Sequence, residues 1–449
     1  MKISQRIKKQ WDLFLSIVCL IILVALLAFC AGFFVADNHI FPLYQIKFAT
    51  NSFARNFGVK LCARIFSEKH KKYPSIWSCT KEKEKGTVVY EPAQAYEGLT
   101  ILSGNDTSAQ LIDMEGNVVH KWQKNFFDVW PRPEHVKLLV DKDDQGLIVW
   151  DKVHLFPNGD LLAIYVGDCS FTPYGGGIIK VNLQSELLWK ADINAHHDLS
   201  VDEDGRIFVL THKYNYESDR PRIDDYITIL SPEGKVINEI SIYKALKESP
   251  YYRLIPESPF DDYLHTNSIE LLTPDKAAGF SFLNAGDIML SHLNLVNITV
   301  IDGKTFKVKW ALTGVADNIH DADFLDNGRI AFFVNTAYHR GSMIVEWDCS
   351  LRQPYWWFTP IDYRLGISEH MLTDDIFLSH FAGMQQKLPN GNYLIVETTG
   401  GSIFEVTPEK RIVWKYVSTK LEGESIGMIF CAERYSPEDL PFLAHLNSN

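Results

Sequence analysis

From about residue 87 onward, apolar side chains alternate with polar ones in short runs, broken roughly every ten residues by Gly, Asn, Asp or Pro, which is the grammar of antiparallel strands and tight turns. Asn318–Asn335 shows it most plainly. A His-Asp pair leads into alternating apolar residues, Asp326-Asn327-Gly328 turns the chain, and Ile330–Val334 returns. Asn-Gly between two such runs predicts a hairpin, because both residues tolerate the positive φ that a tight turn needs. The same unit recurs at Leu155–Ile164, His197–Leu210, His265–Ser291 and His380–Val396. A second unit, a strand, a polar turn and a strand closing at or near Trp, is interleaved with it. It falls at Leu111–Trp122, Lys180–Trp189, Ile229–Ile240 (without the Trp), Val300–Trp310, Val345–Trp357 and Phe404–Trp414. Two hairpins per period make one four-stranded sheet, and sheets repeated in this way bury both faces only by closing radially. The expected fold is therefore all-β, a six-bladed β-propeller, with the first blade mixing a strand near Gly98–Leu102 with strands from the far C-terminus. One short helix is expected at Ile242–Lys247. His212–Asp225, Ser241–Asp262 and Thr359–Ser379 are expected as excursions over one face.

The pattern before residue 87 is different. Leu13–Ala36 is an uncharged apolar run bounded by Asp12 and Asp37, long enough to cross a bilayer and preceded by Lys2, Arg6, Lys8 and Lys9. The expected organisation is a cytoplasmic tail at 1–12, a transmembrane helix at 13–36, a basic juxtamembrane stalk at 37–88 and the propeller at 89–449. This topology makes a single-pass membrane protein whose propeller lies on the periplasmic or other extracytoplasmic side. Residues 1–72 hold 11 basic and 3 acidic side chains, which leaves 33 basic and 53 acidic in the remainder. Such an acidic body excludes nucleic acid as a partner, while the basic stalk suits either anionic head groups or a solvated tether. The seven cysteines show no metal-type spacing. Both Asn-X-Thr triplets, at Asn105 and Asn297, read as chance.

Candidate chemistry centres on histidine. His197-Asp198 and His320-Asp321 each stand eight residues before the glycine of their hairpin, and His265 and His380 also lead innermost-type strands. Equivalent positions on different blades converge on the propeller axis, so these imidazoles could form one cluster able to act as nucleophile, general acid or base, or metal ligand. The structural alternative is that each histidine ties a loop. His120, His135, His154, His212, His339 and His370, and on pattern alone His292, read as structural or surface residues. Gly175-Gly176-Gly177 lacks the residues of a phosphate loop and suggests close packing at a strand start. No Ser-His-Asp elbow, HExxH motif or EF-hand loop is present.

Taken together, GLTILSGNDTSAQLIDMEGNVVHKW (Gly98–Trp122), HHDLSVDEDG (His196–Gly205), DYLHTNSIELL (Asp262–Leu272), VIDGKTFKVKWALTG (Val300–Gly314), IHDADFLDNGRI (Ile319–Ile330) and the tail from LPNGNYLI to GSIFEVTPEKRIVWKY resemble the arylsulfotransferase (aryl-sulfate sulfotransferase) family. The resemblance covers nearly everything after residue 90. It implies transfer of a sulfuryl group from an aryl sulfate to a phenol through a sulfohistidine, without a nucleotide sulfate donor, cofactor or metal. By motif, His320 matches the nucleophile. His265, Asn267 and His197, chosen from the His196-His197 pair, match the residues that hold sulfuryl oxygens and activate the phenol. The family places an arginine after the strand that follows the His-x-Asn motif; here that segment reads Leu290-Ser291-His292-Leu293-Asn294-Leu295. His292 or Asn294 would stand in for it, with His196 and His380 as further substrate-binding candidates. Two other readings stay open: a non-enzymatic membrane-anchored propeller that binds a small anion or a partner protein in its funnel, and a different group-transfer or metal-dependent activity at His265 and His320.

Overall fold

The structure, a computed structural model, describes residues 77–79, 84–138, 148–167, 171–172, 174–215, 222–254, 262–295, 297–316, 318–335, 341–359, 377–422 and 425–446. The expected anchor at Leu13–Ala36 and almost all of the stalk lie outside the described residues. Among the described residues no helix is long and apolar enough to cross a membrane.

The alternating segments pair as antiparallel sheets, and six of these are blades. Blade 1 runs Ile429–Tyr435, Leu99–Gly104, Ser108–Ile112 and Val118–Gln123 from the axis outward. A single C-terminal strand thus supplies its inner position and closes the ring. Blade 2 is Val149–Leu155, Leu161–Val166, Gly175–Val181 and Leu187–Ala191. Blade 3 is Ala195–Val201, Ile207–Asn215, Arg222–Leu230 and Val236–Ser241. Blade 4 is Thr266–Leu271, Ile288–His292, Asn297–Ile301 and Val308–Thr313. Blade 5 is Ile319–Phe324, Arg329–Val334, Met343–Asp348 and Gln353–Phe358. Blade 6 is Met384–Lys387, Tyr393–Glu397, Ser402–Val406 and Ile412–Val417, with Gly86–Tyr90 as a fifth, outermost strand. That last strand corrects the expected boundary at residue 89. Its alternating Thr-Val-Val-Tyr pairs with the free edge of Ile412–Val417, so part of the supposed stalk belongs to the propeller.

Burial follows from this closure. Each pair of neighbouring blades encloses its own apolar core, for example Phe208, Leu210, Ile227, Ile269 and Leu290 between blades 3 and 4, and Met289, Val300, Phe324 and Phe332 between blades 4 and 5. The tryptophans that close the second repeat unit act at these seams. Trp122 donates its indole N–H to the Gly159 carbonyl of blade 2, at 3.1 Å. Trp189 reaches Pro232 of blade 3, at 3.0 Å, Trp356 reaches Pro408 of blade 6, at 2.8 Å, and Trp414 reaches Met114 of blade 1, at 2.8 Å. Gly234 has φ +79°, and a Cβ there would sit 2.4 Å from the Trp189 ring, so the turn under that indole requires glycine.

Inner strands leave backbone N–H groups facing the axis, and buried donors must find acceptors. Side chains of the preceding blade supply them. Asp198 accepts from Ile269 N (2.9 Å), Ser268 from Ala322 N (3.1 Å) and Asp321 from Gln385 N (2.6 Å). Gln386 does the same for Arg434 N (2.8 Å). The aspartates of both His-Asp pairs are therefore occupied in joining blades rather than in holding their histidines.

The helix Ile242–Lys247 forms as expected, capped by the Ser241 hydroxyl, which accepts from Lys244 N at 3.2 Å. His212–Asp225 is less of an excursion than expected. The ladder between the second and third strands of blade 3 continues through His212↔Asp225 to Asn215↔Arg222, because the alternation of His212-Lys213-Tyr214 is itself strand-forming.

Candidate functional site

The inner strands of blades 2 to 5 share an irregularity at their leading ends. Register shifts fall between Trp150 and Val153, Ala195 and Leu199, Thr266 and Ser268, and His320 and Asp323. A bulge re-aims side chains next to it, and here it coincides with residues held at positive φ: His197 (55°), His265 (49°) and Asp321 (46°). Non-glycine residues in this region each cost about 1–3 kcal/mol, and such strain concentrates at functional sites.

The result is a group of aromatic and imidazole rings contributed mainly by blades 3 and 4. His196 and His197 share a hydrogen bond between their Nδ1 atoms at 2.8 Å. The His197 ring lies 5.0 Å from that of His265, and His196 stacks on His212 at 4.5 Å. Tyr174 stands among them, 4.4 Å from His212 and 5.6 Å from His197. His265 Nδ1 donates to Asp262 Oδ2 at 2.6 Å, and Asp262 is brought close by a bridge to Ile223 on blade 3. Blade 5 adds His320, which is buried, with its Nδ1 lacking a hydrogen-bond partner.

Burial sets the protonation of this group. It pushes the His320 imidazole down to about 4, helped by repulsion from His265 and opposed by the Asn318 backbone and the Asn335 side chain. His212 falls to about 3 by burial and then His265. Burial, then the neighbouring imidazoles, drive His196 and His197 well below the usual value. These four rings are neutral at physiological pH. Asp225 moves the other way, up to about 7, through burial and the nearby Asp262 carboxylate. Nearer the axis, burial works against the charge on Lys152, but Asp198 at 3.0 Å holds its amine well above the usual range.

Four sequence candidates are placed differently from expectation. Asn267 is buried, giving its amide N–H to the Ile319 carbonyl (2.9 Å) and accepting from the Ser291 hydroxyl (2.5 Å). It ties blade 4 to the residue before His320. His292 is fully buried, with Nδ1 on the Thr266 hydroxyl (3.0 Å) and Nε2 on Thr299 (2.8 Å). Both nitrogens are used inside the blade, leaving neither for a substrate. Asn294 donates to the Asp262 carbonyl at 2.6 Å and braces the loop that carries His265. His380 is exposed, four residues ahead of the inner strand of blade 6. It does not join the cluster, because that strand begins only at Met384.

His212, Tyr174, Asp225 and Asp262 belong to the site although the pattern assigned them no role. The usable signal for the first and third was the continuing strand alternation on both sides of the blade 3 hairpin, which sets His212 opposite Asp225. His196, His212 and Asp225 could also hold a metal, since one ligand atom from each lies within 4.8 Å of the others. A cavity of ≈ 710 Å³ runs along the inner strands of blades 4 to 6, lined by Glu270, Asp321, Asp323, Glu346 and Lys387 among others. None of the site histidines lines it.

The architecture is that of a six-bladed propeller carrying a buried imidazole cluster at the leading ends of its inner strands. A family model described as Arylsulfotransferase (ASST) matches residues 152–419, more than half of the chain, and the chain belongs to that family. Among solved structures, it is similar to a protein of unknown function from Bacteroides caccae, at 13% identity and a TM-score of 0.46, over 75% of this chain and 98% of that one. It is also similar to the WD40 β-propeller domain of Doa1, at 11% identity and a TM-score of 0.37, over 78% and 88% of the two chains. No curated protein matches it.

Proposed function

We propose that this protein moves a sulfuryl group from an aryl sulfate to a phenolic acceptor, with His320 as the covalent carrier. The observation that carries this reading is the convergence of His197, His265 and His320 from three blades, with the His320 ring buried and held neutral. A neutral imidazole has the lone pair a nucleophile needs. In the first half-reaction a His320 nitrogen bonds to sulfur as the S–O(aryl) bond breaks, and the phenolate leaves with the electron pair. In the second, an acceptor phenol loses its proton to a neighbouring base, its oxygen bonds to the same sulfur, and the N–S bond breaks to restore His320. The His265–Asp262 pair is built to exchange that proton, since the carboxylate orients the ring and stabilises its protonated form. As in phosphoryl transfer, the protein's part is in-line positioning and hydrogen bonding to the equatorial oxygens. The apolar run Leu13–Ala36 would tether this propeller to a membrane and hold it on the extracytoplasmic side.

The test combines a chromogenic aryl sulfate with the full-length protein, with and without a phenol. Phenol release that depends on acceptor, with a labile mass gain of one sulfuryl group on the His320 peptide that is absent in folded His320→Ala, is the expected result. Folded protein that gives neither turnover nor adduct across several donors would return the propeller to a role in binding an anion or a partner. The internal engagement of Asn267 and His292 favours that second reading, because both side chains are taken from the set that would hold sulfuryl oxygens.

A further inference from the structure

We propose that His196, His212 and Asp225 bind one divalent transition-metal ion within the imidazole cluster. The three come from adjacent strands of blade 3, His196 on the inner strand and His212 and Asp225 directly opposite each other on the next two. All three side chains are buried to the last square ångström or nearly so, at 0% exposure. Each nevertheless leaves one polar atom without a partner: His196 Nε2, His212 Nδ1 and Asp225 Oδ1. Folded proteins pair more than about nine in ten buried polar groups, so three orphans in one place call for an occupant.

The spacing suits a metal. His196 Nε2 and Asp225 Oδ1 are 3.8 Å apart. All three ligand atoms lie within 4.8 Å of one another; ligands about 2.0–2.1 Å from a tetrahedral ion sit roughly 3.4 Å from each other, so the three must draw together by side-chain rotation to complete the site. The remaining atoms already orient the ligands from outside. Nδ1 of His196 is engaged by His197 at 2.8 Å, and Asp225 Oδ2 accepts from Thr266 N at 2.7 Å. Such outer partners set ring tautomer and carboxylate direction. The Gly175 N–H donates to His212 Nε2 over a long 3.5 Å, a weak bond that is given up when metal binding at Nδ1 moves the ring proton to Nε2.

Two imidazoles and one carboxylate, without thiolate, select Zn²⁺, Co²⁺ or Fe²⁺ over Ca²⁺ or Mg²⁺. Three protein ligands leave a coordination position free for water or an anion. The inference concerns binding alone, so it stands or falls separately from sulfuryl transfer.

Full-length protein, stripped with a chelator and solubilised, would be titrated with Co²⁺ and followed by its visible ligand-field absorption, then competed with Zn²⁺. The expected result is saturation at one ion per chain, with affinity lowered at least about 100-fold in Asp225→Asn and in His212→Gln, since even outer-shell partners are worth 10–100-fold. The exposed His380→Ala should bind as the wild type does. Asp225→Asn keeps an acceptor for Thr266 N, so its fold should persist. Zn²⁺ should raise the melting temperature of the wild type and leave that of Asp225→Asn unchanged, a readout that holds even where His212→Gln is too unstable to titrate. Absence of saturable Co²⁺ and Zn²⁺ uptake overturns the proposal, as does uptake that survives Asp225→Asn intact; in either case the orphaned atoms are bridged by water.

Discussion

His292 gives the sharpest test of how burial governs the histidines of this propeller. It is fully buried, both ring nitrogens sit on threonine hydroxyls, and burial alone pushes it down to about 3. In the unfolded chain a histidine takes up a proton below about 6.5. Because the fold refuses that proton until pH approaches 3, acid favours the unfolded state, and stability present above 6.5 is lost as pH falls. Between pH 8 and pH 5 the loss assigned to this one group is about 2 kcal/mol, from 1.36 kcal/mol per pH unit over the 1.5 units below 6.5. Replacing it by glutamine should destabilise the protein at pH 8 by about 1–3 kcal/mol, the usual cost of a disturbed buried hydrogen bond. That penalty should shrink by about 2 kcal/mol at pH 5, where the wild type has lost stability that His292→Gln never had. With an unfolding entropy of roughly 2.1 cal/mol/K per residue over roughly 360 residues, the melting-temperature gap should narrow by about 3 °C. Thermal melts of both proteins at the two pH values decide the matter. A gap that stays constant would refute the burial argument. The aryl sulfate KM should be the same in both proteins; a large rise would return His292 to the substrate pocket.

Two further outcomes follow from other parts of the chain. Arg434, at 0% side-chain exposure, pairs with the equally buried Glu405 at 2.5 Å and reaches Thr100 and Tyr96, stitching blade 6, the closing strand and the second strand of blade 1 together. Arg434→Met should cost about 3–5 kcal/mol by leaving Glu405 charged and unpaired, and adding Glu405→Gln should recover part of that loss; a double variant no more stable than the single would argue against a buried charge. The full-length protein should remain with membranes after an alkaline carbonate wash and lose that association when residues 1–36 are removed, as cell fractionation would report; a soluble full-length protein would dismiss the anchor.

The periodicity and the turn residues made six blades legible before any contact was known, because both are short-range properties. Alternation reports a half-buried strand, and Asn-Gly or Asp-Gly reports a hairpin, whatever lies beyond it. The same locality made the Ile242–Lys247 helix visible, and it placed His197, His265 and His320 at the leading ends of inner strands. It could not report which side chains are consumed in joining blades. Asp198 spends its carboxylate on Ile269, seventy-one residues away, and Asn267 spends its amide on Ile319, fifty-two away. His292 looked free to replace an arginine until the threonines of its two neighbouring strands closed on it. The membership of His212, Tyr174, Asp225 and Asp262 in the site was likewise decided by the meeting of blades 2, 3 and 4. The sequence by itself determined most of the strands, the number of blades and where His197, His265 and His320 stand on them. Only the closed ring decided which polar groups are spent as mortar and which are left for chemistry, since burial and hydrogen-bond partners are set by residues distant in the chain.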